Sequence, residues 1–129
     1  MFLRASVLGI VLAVCAIAGL HWPLRNEVLN GLALFLAFTA CVYPGALLAQ
    51  RAAPWATLAE IAIGLGVLAC AWLGVTHDPL WIVVGYLVHG IWDWGHHAKR
   101  IPTRIKSWFP PACAAFDIAV AGYSAWIIL

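Results

Sequence analysis

The densest chemistry in this sequence lies between Tyr86 and His97, which reads Tyr-Leu-Val-His-Gly-Ile-Trp-Asp-Trp-Gly-His-His. Imidazole nitrogens and carboxylate oxygens hold transition metals and move protons. His89 and Asp93 are spaced i,i+4; Asp93 and His96 are spaced i,i+3. On a helix those intervals put two side chains within reach of one ion. Tyr86, His89, Asp93, His96 and His97 fall within about 100° of arc at 3.6 residues per turn. Carboxylate-x-x-His is the element with which helical bundles hold di-iron centres. Gly85 and Gly90 flank this face and allow another helix to come close.

The elements that must position these residues are membrane helices. Hydrophobic residues make up 65% of the 129 residues and charged residues only 9%. A soluble domain of this length has too little interior to hide so much apolar surface. That excludes a soluble enzyme and a disordered tail. A net charge of +2 gives no reason to expect a nucleic-acid partner. The sequence predicts an all-α, polytopic transmembrane bundle forming a single domain. Its five spans cover about residues 2–20, 28–49, 55–75, 80–97 and 111–129, each long enough for a ~30 Å hydrocarbon core. Arg4 followed by an apolar stretch is also how a secretory signal begins. The length of that stretch, and Val14 before Cys15, favour a retained span. Pro54 suits the first turn of the third helix. Trp22, Trp55, Trp72, Trp81, Trp94, Trp108 and Trp126 fall near span ends, where aromatic belts sit. Cys15, Cys41, Cys70 and Cys113 form no CxxC pair and read as small buried hydrophobes.

Arg4, Arg51, Lys99, Arg100, Arg104 and Lys106 fall on one side of this arrangement, with Arg25 on the other. The positive-inside rule then places the N-terminus in the cytosol and the C-terminus outside, as in a bacterial inner membrane. The basic segment 99–109 is no span. Its Ile101, Ile105, Trp108 and Phe109 suit either a short helix lying in the interface or an irregular loop at the headgroups.

The chain has five acidic residues, and Glu60, Asp93 and Asp117 lie within spans. A carboxylate at mid-helix costs about 2.5–3.5 kcal/mol to insert. Counted from the cytosolic ends of their spans, Asp93 lies ~6 Å deep, Glu60 ~7.5 Å, Tyr43 and Asp117 ~9 Å and His89 ~12 Å. Polar groups of four helices therefore share one layer. Each has a plain alternative. His96 and His97 could serve the C-terminal carbonyls of their helix, Asp93 could pair with Arg100 and Asp117 with Arg104, and Glu60 could bond a neighbouring helix. Together, three carboxylates and three histidines in low dielectric call for a cation. His89, Asp93, His96, His97, Glu60 and Asp117 are the candidate ligands of a divalent transition metal, with Tyr43 and Tyr86 supporting them from behind. The donor set favours iron, with zinc or manganese as alternatives.

The string His89–His97, the Trp108-Phe109-Pro110 segment, the Phe116-Asp117 pair and Glu60 together resemble a small family of bacterial membrane proteins. That family carries HGxWDxxHH and has no established activity. Part of the string also resembles a box of the membrane β-carotene-cleaving dioxygenases. The spacing HxxxDxxHH is similar to the HxxxHxxHH box of membrane desaturases and hydroxylases, with Asp93 where those have His. Both groups are iron oxygenases that use further histidines on other helices. Here His21 and His77 lie on the opposite side, so Glu60 and Asp117 would take those places.

The first functional expectation is a metal-dependent membrane enzyme acting on a lipid or isoprenoid substrate that enters from the bilayer. The second is a small transporter or a proton- or metal-translocating subunit using the same residues as a relay. The third is a structural protein whose polar layer only fixes packing. Five short helices make a thin bundle, consistent with a homo-oligomer.

Overall fold

A computed structural model describes residues 2–22 and 27–129. Arg25, the basic residue counted alone on its side, lies outside them. The described residues form helices and no strand: α1 (Phe2–His21), α2 (Val28–Thr39), α3 (Val42–Leu47), α4 (Pro54–Thr76), α5 (Leu80–His97) and α6 (Phe109–Ile128). Four helical stretches are long and apolar enough to cross a membrane: Phe2–His21, Val28–Leu47, Pro54–Thr76 and Phe109–Ile128. α5 has 18 residues, but its polar side chains leave it less apolar than these.

The stretch expected as one helix over 28–49 is broken into α2 and α3. Pro44 has no N–H to give to the Ala40 carbonyl, and its ring crowds the preceding turn. The chain tightens there, with Cys41 N–H bonding the Phe38 carbonyl at 3.1 Å and Gly45 N–H resuming at Cys41 O, 2.8 Å. α6 begins at Phe109, two residues before the expected start at 111. Pro110 and Pro111 are tolerated in its first turn because those N–H positions need no helical partner. Asp78 stops the turn between α4 and α5 by accepting the Leu80 N–H at 2.9 Å. The segment between α5 and α6 has no helix among residues 99–108; it is an irregular basic strap.

α5 packs between α4 and α6, α1 packs along α6, and α2 closes the bundle against α4 and α5. Leu32, Leu36, Val67, Ile82, Tyr86 and Val120 are fully buried where these helices meet. The outer faces are apolar instead: Val7, Val11 and Val14 of α1 and Leu58, Leu65 and Trp72 of α4 are more than half exposed. Such continuous apolar faces suit lipid rather than water. Phe2 stacks on His97, and Gln50 bonds the Arg104 backbone. These contacts bring the start of α1, the end of α3 and the α5–α6 strap to one end of the bundle, which carries Arg4, Arg51, Lys99, Arg100, Arg104 and Lys106.

Close approach depends on a few glycines. A Cβ on Gly9 would overlap the Ala112 carbonyl oxygen, a backbone atom that cannot swing away. Gly19, on the same helix, faces open space. Gly9→Ala is expected to lose about 1–3 kcal/mol by overpacking the α1–α6 contact, and Gly19→Ala to lose nothing. Thermal unfolding in detergent, followed by circular dichroism, separates the two.

Candidate metal centre

The inner face of α5 meets each neighbour at a different polar residue. Gly90 sits opposite Asp117, where an added Cβ would come within 3.3 Å of the Asp117 Cβ. Because Gly90 has none, α6 lies close enough for Asp117 to reach His89. His89 Nδ1 is 2.7 Å from Asp117 Oδ2 and 3.5 Å from Asp93 Oδ2. Tyr43, on α3 just beyond the break, donates its hydroxyl proton to Asp93 Oδ1. His89, Asp93 and Asp117 each offer one ligand atom, and those atoms all lie within 4.8 Å of one another. The three residues are 3%, 0% and 1% exposed, so water is shut out. His89 Nε2, Asp93 Oδ2 and Asp117 Oδ1 have no hydrogen-bond partner among the described residues. Buried polar atoms without partners are rare and costly, and the three residues form a group that could hold a metal ion. One imidazole cannot by itself offset two adjacent buried carboxylates; a proton or a cation must complete the balance.

Glu60 and His96 do not join this group. They form a second cluster one turn nearer the strap. His96 Nε2 meets Glu60 Oε1 at 2.8 Å, and Thr103 Oγ1 donates to the same oxygen at 2.5 Å. Trp92 Nε1 donates to Glu60 Oε2 at 2.8 Å. His96 Nδ1 faces the Trp92 carbonyl at 3.1 Å, an acceptor only, so Nδ1 carries a proton. A second proton then lies between His96 Nε2 and Glu60, whichever formally holds it, and the pair is neutral overall. Every oxygen of Glu60 is satisfied, so this cluster is a lock between α4, α5 and the strap. The Tyr43 ring stacks on His96, 3.9 Å between centroids and 16° from parallel, while its hydroxyl serves Asp93. It thus touches both clusters.

The single layer expected from depth is thus divided. His89 and His96 share a face of α5, but they lie about 10 Å apart along its axis, where different neighbours stand opposite: α6 with Asp117 and α4 with Glu60. His97 is outside both clusters, its ring packed on Phe2 and Trp94. Tyr86 is fully buried but donates to the Leu32 carbonyl at 2.8 Å, pinning α2 rather than a carboxylate. Arg100 and Arg104, the alternative partners for Asp93 and Asp117, are exposed, and no Lys or Arg among the described residues pairs with either acid. Trp92 and Thr103 are the residues the sequence pattern did not single out. A half-buried indole on a polar helix face must find an acceptor, and Trp92 is i,i+4 from His96; that was the available signal. Thr103 sits in irregular chain and had none.

An apolar cavity of about 630 Å³ opens between α1, α2 and α6, lined by Leu12, Phe35, Phe38, Phe109 and Phe116, with His89 and Asp117 among its walls. Cys113 also lines it, half-buried. The chain is therefore a membrane-type helical protein with a buried His/Asp/Asp group reached from the side of the bundle. Residues 2–128 match the model of a family of unknown function, DUF6010, and the chain belongs to that family. No curated protein and no solved structure matches it.

Glu60→Ala would leave Trp92 Nε1, His96 Nε2 and Thr103 Oγ1 without the partner they share, a loss of about 1–3 kcal/mol for each buried group left unmade. Its thermal unfolding midpoint should fall well below that of the wild type. Thr103→Val should fall less, because Glu60 keeps its other partners. Equal midpoints for Glu60→Ala and the wild type would overturn the lock.

Proposed function

We propose that this protein is an integral membrane metalloenzyme acting on a lipid or isoprenoid chain. The observation that carries the reading is the convergence of His89, Asp93 and Asp117 within 4.8 Å, each with an unpartnered buried atom, beside the apolar cavity. One imidazole and two carboxylates suit iron, zinc or manganese better than copper(I) or calcium. A bound ion would supply a Lewis acid and an activated water or oxygen. The residues of the chain do the remaining work. Tyr43 fixes Asp93 through Oδ1 and leaves Oδ2 free, the kind of outer contact that sets ligand orientation. The cavity would take an apolar chain from the bilayer side and keep water out.

The basic end of the bundle supports a cytosolic N-terminus and five spans with α5 among them, in a bacterial inner membrane. A translocating relay has less support. Among the described residues, the buried acids and histidines gather toward that end, so no chain of them reaches the other.

Metal analysis of detergent-purified protein tests the reading. The wild type is expected to carry about one transition-metal ion per chain, and His89→Ala and Asp117→Asn to carry little. His97→Ala should retain it. A folded, metal-free wild type that takes up no iron, zinc or manganese would sink the proposal. Tyr43→Phe is expected to weaken metal affinity about 10–100-fold without loss of helix content, read by competition with a chelator.

A further inference from the structure

A second cavity, about 560 Å³, lies at the basic end of the bundle, under the strap. Phe2 and Ile105 give it apolar walls; His97, Lys99, Arg104 and Ser107 give it donors. No acid lines it, and no Lys or Arg among the described residues forms an ion pair. The main chain at Lys99 and Arg104 is held by hydrogen bonds rather than left as a loose loop. Lys99 ends α5 in the left-handed region, φ 55°, where glycine is the usual residue. Its N–H bonds the His96 carbonyl at 3.0 Å, and the Arg100 N–H bonds Gly95 O at 3.1 Å. Arg104 is clamped by Gln50, which accepts its N–H at 2.8 Å and donates to its carbonyl at 3.3 Å. Thr103 beside it is tied to Glu60. The main chain is anchored on both sides, and Lys99 and Arg104 both line a half-apolar space.

We propose that this cavity binds the phosphate headgroup of an anionic lipid. Lys and Arg with a hydroxyl and an imidazole are the donors that phosphate oxygens take, and apolar walls suit the glycerol or first methylenes behind the phosphate. The strap joins this cavity to the other: Ser107 and Pro110 line the headgroup site, while Trp108 and Phe109 line the larger apolar cavity. A lipid held by its phosphate can lay an apolar chain toward His89 and Asp117. That the bound lipid is the substrate rests on the metalloenzyme reading; the headgroup site does not.

The test uses purified full-length protein, with dioctanoyl phosphatidic acid, dioctanoyl phosphatidylcholine and inorganic phosphate as separate probes in calorimetric titration. Phosphatidic acid is expected to bind about tenfold or more tightly than phosphatidylcholine, from the charge-assisted bonds. The Lys99→Gln, Arg104→Gln double variant should lose that preference while keeping the wild-type unfolding midpoint and metal content. Equal affinity for the two lipids, or a double variant with the preference intact, overturns the proposal. Inorganic phosphate binding as tightly as phosphatidic acid would make the cavity a free-phosphate site and overturn the lipid assignment. Metal content, measured on the same samples, reports on the enzyme reading separately.

Discussion

In a medium without water, each polar side chain on the inner face of α5 has to be answered by another part of the protein. That requirement sets the arrangement of the bundle. Glu60 on α4 answers Trp92 and His96; Asp117 on α6 answers His89; Tyr43 on α3 answers Asp93. The apolar contacts fill the rest, but leucine and valine pack against one another in many registers. The polar pairs accept only one. The break at Pro44 serves the same constraint, since it sets the short helix that carries Tyr43 at its own angle.

Within that face there is a division of labour. Around Glu60 every acceptor and donor is matched, and the result is rigid and neutral. Around His89 the count does not close, and three atoms are left over. The same helix therefore supplies a closed network and an open one, about one turn apart. The closed network steadies the geometry of the open one through the Tyr43 ring. Such a division is what a functional centre needs from its surroundings: ligands held by contacts that are themselves satisfied.

Much of this was legible in the sequence. The positions of most helices were, because apolar runs separated by Pro, Asp and basic residues leave few options, and the expected span 80–97 coincides with α5; the break of the span 28–49 at Pro44 was not. That His89, Asp93 and Asp117 lie at similar depths, together with Glu60, was legible from helical spacing. Their separation from Glu60 and His96 was not. Depth along a helix places residues in a layer, but the direction of each side chain within the layer depends on which neighbour lies there. His97 shares the arc of His89 on a helical wheel, yet it faces α1, because Phe2 reaches the end of α5. Thr103 was invisible because a partner from irregular chain carries no periodicity.

The modest apolarity of α5 has a consequence for how the chain enters the membrane. A helix bearing an aspartate and three histidines gains little by partitioning into lipid alone. The tight turn at His77–Pro79 joins it directly to α4, the longest apolar helix. The two can insert as a hairpin, with Glu60 already facing Trp92 and His96, so that part of the polarity of α5 is masked on arrival. Asp93 has Tyr43 of the earlier α3, but His89 has no such escort until α6 brings Asp117. The centre on which the proposed activity depends is thus completed only after α4 and α5 are already in place.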